Sequence, residues 1–581
     1  MPSAEADGSD GVPSGINLRR VLVAAAVALT CSAPFAAAQT PSLPPPSIAP
    51  SPSVIGRQVL DEREGPGRKA EIDVPASGGV QVPPDLARRE VAFRNVTVEG
   101  ATAFGPADFA PLFAPILNRR VAFSEVVAAV NRITQLYEKG GYVFYSVVLP
   151  KQDLDGDRLR VVVLEGSVSR IEIEDGISSP AVRERIEALL GRLKGRHPLK
   201  RADLERQLLL AADTPGVSLA AAARPDPSGD PAKVVLVVGG TFERFTPIAT
   251  IDSFQTTPDT SVNFRVGGIG RSLLTGGDAL ELRYLSAVPW GRLHLFDVRY
   301  GLPVGLDGGR LSFLGQMVWQ RPPATLNGQP VDFLGRSILG RVQYTHPIVR
   351  RLDWTVTGFG MVDVIDVDYT LAGIGVPGDS LRVLRSGSAA VFKDGLDGVW
   401  SATALASVGL DVASAVARNR AYAGPSFFKL NVDVQRIQPL GRHFALVLRA
   451  AGQMSGGTLP AAEVFSFGGR DFGRAFNVSE SVADRGAAVS AELRYAVDWL
   501  GIDRKLADPQ LYVFADHGWL SSADPLNAPV FAQASTAGGG VRVRAFQKYT
   551  GEIELAKALD ASPIDTSVRP WRVSFRVGTN F

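Results

Sequence analysis

The chain has 581 residues, which is long for one hydrophobic core and predicts several domains. Its 61 Lys+Arg against 59 Asp+Glu leave a formal charge of +2, so composition gives no argument for a polyanionic partner such as nucleic acid. After the amino-terminal region no apolar run reaches the roughly 18 residues that a membrane helix needs, so only a closed β-barrel would cross a bilayer.

Residues 1–38 have the parts of a leader and signal peptide in the usual order. Arg19 and Arg20 precede the apolar stretch 21–29, and small residues lead up to Ala38, where cleavage is expected. The single cysteine, Cys31, lies in this segment, so cleavage would leave no residue for disulfides or thiolate metal sites. Residues 39–90 form a proline-rich linker in which 54–72 predicts a short polar helix interrupted by Gly65-Pro66-Gly67.

Two compact α/β units follow, over residues 91–166 and 167–240. Each has the order strand, helix, helix, strand, strand, which is an internal repeat. In the first unit we expect Ser124 to precede an amphipathic helix that Gly140-Gly141 ends. In the second, 182–193 and a segment around Leu204 have helical spacing.

Residues 245–581 alternate apolar and polar side chains in segments of about ten residues, which is typical of a membrane β-barrel. In the last segment one face is apolar and the other carries arginines. The apolar face comprises Trp571, Val573, Phe575, Val577 and Phe581, and the polar face comprises Arg572, Ser574, Arg576 and Asn580. At about 20 residues per strand with its connection, the region predicts roughly 16 antiparallel strands around a polar lumen. A soluble β-sandwich is the alternative.

The stretch "GGYVFYSVVLPKQDLDGDRLRVVVLEGSVSRIEI", residues 140–173, resembles the first polypeptide-transport-associated (POTRA) domain of TpsB transporters, the two-partner (type V) secretion family that exports haemolysins and adhesins. The resemblance implies two periplasmic POTRA domains, 91–166 and 167–240, before a barrel in the outer membrane of a Gram-negative bacterium. It further implies an unfolded exoprotein as partner, with Pro150 and Gln152 in the partner-binding POTRA domain. The segment 54–72 matches the place where relatives carry a pore-plugging helix.

The resemblance also implies a latch between a loop and the barrel wall. In "LYVFADHGWL" the side chains of Phe514, Asp516 and Gly518 share one strand face with Tyr512, which we expect to be lumenal. In the superfamily an arginine at the tip of the sixth extracellular loop folds into the barrel to meet this aspartate. In "FGGRDFGRAF" that arginine is Arg474, and we expect Asp516 to hold it in a bidentate pair.

The residues around the tip depart from the family pattern in one respect. Gly468 and Gly469 permit the backbone to reverse, and Phe476 supplies the usual aromatic residue. The family tip has glycine after the arginine, whereas here Gly473 precedes Arg474 and Ala475 follows it, which leaves the backbone there undetermined. Arg470 stays open as an alternative partner for the aspartate.

The sequence predicts a transporter and not an enzyme. No nucleotide-binding G-x-x-x-x-G-K-[ST] loop is present, the five histidines are scattered, and no cofactor or metal is expected. Phe581 is expected to act as a signal to the barrel assembly machinery, which with outer-membrane lipid completes the predicted partners. An outer-membrane protein insertase of the same superfamily and a diffusion channel remain alternative functions.

Overall fold

The computed structural model describes residues 71–73, 80–253, 262–326, 329–376, 378–499, 501–504, 506–559 and 571–579. The predicted signal peptide, the linker up to residue 70 and the predicted assembly signal Phe581 lie outside these ranges. The first described elements are strand β1, Glu71–Asp73, and helix α1, Pro84–Ala87. The segment 54–72, where a short polar helix is predicted, lies outside the described residues except for Glu71 and Ile72, which belong to β1.

The first α/β unit follows the predicted order with three added short strands, β2, β4 and β5. Its elements are β2 Glu90–Ala92, β3 Asn95–Glu99, α2 Pro106–Phe113, β4 Arg120–Ala122, α3 Phe123–Lys139, β5 Tyr142–Val143, β6 Tyr145–Val148 and β7 Arg158–Glu165. The expected start of α3 is two residues late, because the capping residue is Ala122 and Ser124 lies inside the helix. The sheet has the order β3-β7-β6, with β3 parallel to β7.

The second α/β unit repeats this arrangement. Its elements are β8 Ser167–Ile173, α4 Pro180–Gly191, β9 Leu199–Lys200, α5 Arg201–Ala212, β10 Val217–Pro225 and β11 Lys233–Phe242. Its sheet has the order β1-β10-β11-β8, so the linker strand β1 adds to the edge of β10 in parallel register. The helices pack on this sheet through buried leucines that recur at helical spacing.

A half-buried carboxylate, that of Glu165, organises the first unit. Tyr137, fully buried on α3, donates a 2.6 Å hydrogen bond from its hydroxyl to Oε1 of Glu165. The same oxygen accepts the backbone N–H groups of Thr102 and Ala103 at 2.8 Å, and the Thr102 hydroxyl donates to Oε2. Burial raises the pKa of the Glu165 carboxyl, but these hydrogen bonds outweigh it and hold that pKa below its usual value.

A closed antiparallel barrel occupies the rest of the chain. Its strands and those of its loops are β12 Phe245–Asp252, β13 Val262–Arg271, β14 Ala279–Val288, β15 Leu293–Val304, β16 Gly309–Gln320, β17 Ala324–Leu326, β18 Gln329–Val331, β19 Phe333–Arg350, β20 Trp354–Leu371, β21 Ile374–Val376, β22 Ser380–Lys393, β23 Val399–Gly409, β24 Phe427–Leu440, β25 Phe444–Ser455, β26 Phe465–Phe467, β27 Ser481–Ala483, β28 Arg485–Ala496, β29 Ala507–Ser521, β30 Gln533–Ala545, β31 Tyr549–Ala558 and β32 Arg572–Thr579. Short 3-10 helices lie at Ala461–Glu463 and Pro525–Asn527.

Sixteen of these strands surround the lumen within the described ranges, which confirms the predicted number. The three-residue β21 pairs with β20 at the rim, but β20 also pairs directly with β22. β12 pairs with β32 to close the barrel through three residue pairs. No helix among the described residues is long and apolar enough to span a membrane.

The side-chain alternation predicted for the last strand is confirmed. On β32 Val573 and Val577 are 66% and 58% exposed on the outer face, whereas Ser574 and Arg576 are buried towards the lumen. The apolar face can contact lipid because every charged group of the strand points the other way.

The second α/β unit is fastened to the barrel by ion pairs and packing. Arg350 at the end of β19 holds both oxygens of Asp213, at 2.8 and 2.7 Å, where α5 ends. Arg192, the residue that caps the end of α4, donates to Asp307 at 2.5 Å in the turn between β15 and β16. Leu306 of the same turn packs against the core of the unit, so these contacts set the unit directly below the barrel.

Candidate functional site in the barrel lumen

The loop 456–484 between β25 and β28, the sixth extracellular loop, folds into the lumen. Its strands β26 and β27 form a two-stranded hairpin whose apolar side chains are buried against the wall. Gly468 and Gly469 have φ angles of 110° and 112°, and a Cβ on Gly468 would lie 2.1 Å from the carbonyl oxygen of Asn477. The reversal of the chain at this point therefore requires glycine.

Arg474 lies at the tip of this loop and is 4% exposed. Its guanidinium donates hydrogen bonds to Glu492 at 2.8 Å, to Glu554 at 3.1 Å and to the hydroxyl of Ser490 at 3.2 Å. Its Cζ also lies 3.8 Å from the centre of the Phe514 ring, a cation–π contact. A buried guanidinium needs such partners because an unpaired charge in this position would carry the full cost of desolvation.

Asp516 binds the loop in a different way from the one expected. Its Oδ2 accepts the backbone N–H groups of Gly473 at 3.1 Å and Arg474 at 3.3 Å, and the Thr536 hydroxyl at 3.0 Å. The guanidinium Nε of Arg474 is 3.5 Å away, close enough for an ion pair but not for the predicted bidentate geometry. That part of the prediction is wrong, since the carboxylate faces the backbone of the tip and the guanidinium extends past it to Glu492.

The left-handed residue of the tip is Gly473, with a φ of 74°. A Cβ there would lie 2.5 Å from the Phe467 ring. The glycine that precedes the arginine thus makes the turn, which explains how Ala475 is tolerated after it.

Further charges surround the tip. Tyr512 donates to Glu552 at 2.8 Å and lies 3.0 Å from Glu554, while Arg542 donates to Glu552 at 2.8 Å. The open alternative, Arg470, approaches Glu552 at 3.8 Å and not Asp516. We call Arg474 with Asp516, Glu492 and Glu554 the tip site.

Two aromatic residues of the loop pack beside the tip site. Phe467 and Phe476 are buried, with ring centres 6.1 Å apart, and Phe531 of the next loop covers both. A Cβ on Gly518 of β29 would lie 2.3 Å from the Phe467 ring. The small residue on the wall therefore makes room for the loop.

Sequence reasoning missed Glu492, Glu554, Ser490 and Thr536. A usable signal existed for the two glutamates, because each stands in an alternating strand where the lumenal face is otherwise polar. What could not be inferred was their register against Asp516, which the pairing of β28 with β29 and of β30 with β31 determines.

The residues predicted for partner binding lie at the end of β6 in the first unit. Pro150 is half-buried, and the side-chain amide of Gln152 donates to the carbonyl of Arg160 and accepts its N–H, both at 2.8 Å. The side chain of Gln152 thus pairs with the backbone of β7 as a neighbouring strand would, just beyond the end of β6. Its role in partner binding stays a prediction.

Comparison with known proteins identifies the architecture. Residues 91–166 match the family model "POTRA domain, ShlB-type", and residues 388–544 match "Haemolysin secretion/activation protein ShlB/FhaC/HecB". These matches cover the first α/β unit and part of the barrel, so both parts of the chain are similar to proteins of the haemolysin secretion/activation family. The two matches agree with the predicted outer-membrane barrel preceded by a periplasmic POTRA domain.

Two curated relatives align with the chain over short stretches. Two sequences named outer membrane transporter CdiB, from Escherichia coli and from its strain 536, are 32% identical over 87 residues and 31% over 80 residues. These matches cover 15% and 14% of this chain and of the relatives, so they span only about a seventh of either protein.

Two solved structures share the fold over nearly the whole chain. CdiB from Escherichia coli superposes with a TM-score of 0.73 at 18% identity, covering 93% of this chain and all of that one. CdiB from Acinetobacter baumannii gives 0.64 at 16% identity, with coverage of 91% and 96%. At these sequence identities the comparison shows a shared fold alone.

Proposed function

We propose that this protein secretes a partner exoprotein, of haemolysin or adhesin type, across the outer membrane through its barrel and without nucleotide hydrolysis. The observation that carries the proposal is the loop 456–484, which lies inside the lumen and is held there by the tip site. A pore closed by an attached loop needs a passenger that displaces the loop, and the family supplies such passengers.

The tip site is suited to hold the loop and to release it. Its contacts are hydrogen bonds and ion pairs, with two carboxylates on the guanidinium and one on the backbone. Polar groups that separate in a water-filled lumen regain hydrogen bonds to water, so the net cost of separation is about 0.5–3 kcal/mol per bond rather than its full strength. The passing chain can offset that cost with contacts of its own.

The partner is captured by addition of a strand to an edge of the POTRA sheets. Strand β6 is an edge of the first unit, and Pro150 and Gln152 lie where this edge ends. The second unit carries a strand of this kind already, since β1 pairs in parallel with β10 over three residues. Backbone pairing asks little of the partner's sequence, which suits an unfolded chain.

Energy for transport comes from folding of the partner outside the cell, because a folded chain cannot return through the lumen. The barrel reaches its place through the barrel assembly machinery, with Phe581 as the recognised residue, and then contacts outer-membrane lipid. No enzymatic step is part of this proposal.

The test is secretion of the partner exoprotein, whose gene we expect beside this one. Arg474→Ala and Asp516→Ala should each reduce the exoprotein in the medium strongly while the barrel still migrates as a heat-modifiable folded species. Arg418→Ala is a matched control, since Arg418 is exposed on the preceding loop. Unchanged export after deletion of the gene would refute the proposal.

The same experiment separates the alternatives. An insertase would leave the medium unchanged and reduce the amounts of other barrels in the outer membrane. A diffusion channel would leave both unchanged and reduce solute uptake.

A further inference from the structure

A second cluster of buried charges holds the loop 456–484 far from its tip. Glu463, in the 3-10 helix Ala461–Glu463 at the start of the loop, is fully buried. Its carboxylate accepts two hydrogen bonds from Arg385 of β22, at 2.6 and 3.0 Å. Lys429 of β24 is 2.8 Å from the same carboxylate and donates at 2.8 Å to the carbonyl oxygen of Glu463.

The cations of this cluster are themselves held in place by the wall. Arg385 donates from Nε to Asp363 of β20 at 2.7 Å and to the Ser407 hydroxyl at 2.9 Å. Asp363 in turn binds Arg341 of β19 in a bidentate pair at 2.7 and 2.8 Å. Removal of Glu463 would therefore leave Arg385 paired, so the wall should tolerate the loss better than it would tolerate an isolated buried cation.

The backbone around Glu463 is fastened as well. Gln453 of β25 donates to the carbonyl oxygen of Glu463 at 3.0 Å, and Ala462 is buried against apolar side chains of β20 and β22. We call Glu463 with Arg385 and Lys429 the base site. It uses β22 and β24, whereas the tip site uses β28, β29 and β31, so the two sites lie on different parts of the wall.

We propose that the base site is a second, independent anchor of the loop, and that Glu463, Arg385 and Lys429 are positioning residues for its movement. Release of Arg474 frees the tip alone, and the start of the loop stays attached to β22 and β24. Clearance of the lumen then requires both sites to open. The inference rests on the proposed function only in treating this loop as the element that moves.

Two engineered cysteines report on the two sites separately. The full-length chain has one cysteine, so Cys31→Ser provides a background without thiols. Ala475→Cys reports on the tip, where Ala475 packs against Tyr512 and Phe514. Ala462→Cys reports on the base, and the measured quantity is the rate of reaction with a membrane-impermeant maleimide on purified protein.

The expected pattern is a crossover. Arg474→Ala should raise the labelling rate at position 475 about ten-fold or more and leave position 462 within about two-fold, because hydrogen bonds to charged groups are lost at the tip alone. Glu463→Gln should do the reverse. The double variant should be labelled at both positions, and Asp524→Asn, which removes a carboxylate that caps its own turn in the next loop, should change neither.

Two results would overturn the inference. Equal exposure of position 462 by Arg474→Ala and by Glu463→Gln would mean that the loop moves as one body. Unchanged protection of position 462 in Glu463→Gln would mean that Glu463 does not hold the base. If Glu463→Gln does not fold, Lys429→Gln keeps Arg385 in place and carries the same test. Because labelling needs no exoprotein, a failure of the base-site inference is distinguishable from a failure of the proposed secretion function.

Discussion

Replacement of Gly518 by alanine should push the loop out of the lumen. The Cβ would lie 2.3 and 2.4 Å from two carbons of the Phe467 ring, well inside contact distance. The wall cannot move away, since β29 is paired on both sides, with Ala488 and Ala534 opposite Gly518. The Phe467 side chain is fully buried beside Phe531, so the ring has to shift together with the loop.

The size of the effect follows from the cost of overpacking. Extra carbon in a filled core costs about 1–3 kcal/mol, and that energy favours the displaced loop by about 5- to 150-fold. The assay is the conductance of single purified barrels in planar lipid bilayers, where a displaced loop should increase the fraction of time spent in large open states. Phe467→Leu in the same chain should restore part of the closed state, because the smaller side chain leaves room for the Cβ.

Gly551→Ala is the matched control. Gly551 also stands in a barrel strand, β31, but a Cβ there meets nothing within 4 Å, so this variant should conduct like the parent. The reasoning would be refuted if Gly518→Ala folded normally and its conductance equalled that of the control. The ring would then have another place to go, and the loop would not be the part of the structure that moves.

Three further predictions concern other charged contacts. Glu492→Gln should weaken the hold on the guanidinium and increase open-state conductance more than Asp524→Asn does, measured in the same bilayer assay. Glu165→Gln should destabilise the first unit at neutral pH. Because the pKa of Glu165 is lowered by folding, the ionised carboxylate stabilises the folded unit above the unfolded pKa of 4.5, and this stabilisation is lost as pH falls through the folded pKa. Hydrogen exchange of β7 in the full-length protein should therefore depend on pH less in the variant than in the parent. Asp213→Asn should loosen the second unit against the barrel by about 1 kcal/mol or less, seen as a broader distance distribution between spin labels on the two parts.

Local patterns were sufficient to predict the barrel. On β32 the alternation alone placed Ser574 and Arg576 inward and Val573 and Val577 outward, because a side chain's face follows from its position in a strand. The repeated α/β units were predictable for a similar reason, since each helix shows its buried face in the spacing of its own apolar residues. These are properties of short segments that need no knowledge of the neighbouring strand.

The tip and base sites depend on contacts between distant segments, and most of these contacts could not be predicted from the sequence. The arginine Arg474 and its wall aspartate were found through a motif, but Glu492 and Glu554 were not, because they meet the guanidinium only in one strand register and at one depth of the loop. Glu463 was missed for the same reason. Its partners come from β22 and β24, many residues before it in the chain.

The two halves of the tip site recognise different properties of the loop. Asp516 accepts backbone N–H groups, which nearly any residue supplies, so its hydrogen bonds to the loop depend on the path of the chain, and the Arg474 side chain adds only an ion-pair contact at 3.5 Å. That path depends on Gly473, whose φ of 74° turns both amides towards the carboxylate. Glu492 and Glu554, in contrast, bind the guanidinium itself. A glycine before the arginine can therefore replace the glycine that the family has after it, provided that the turn still directs two backbone N–H groups towards the wall carboxylate.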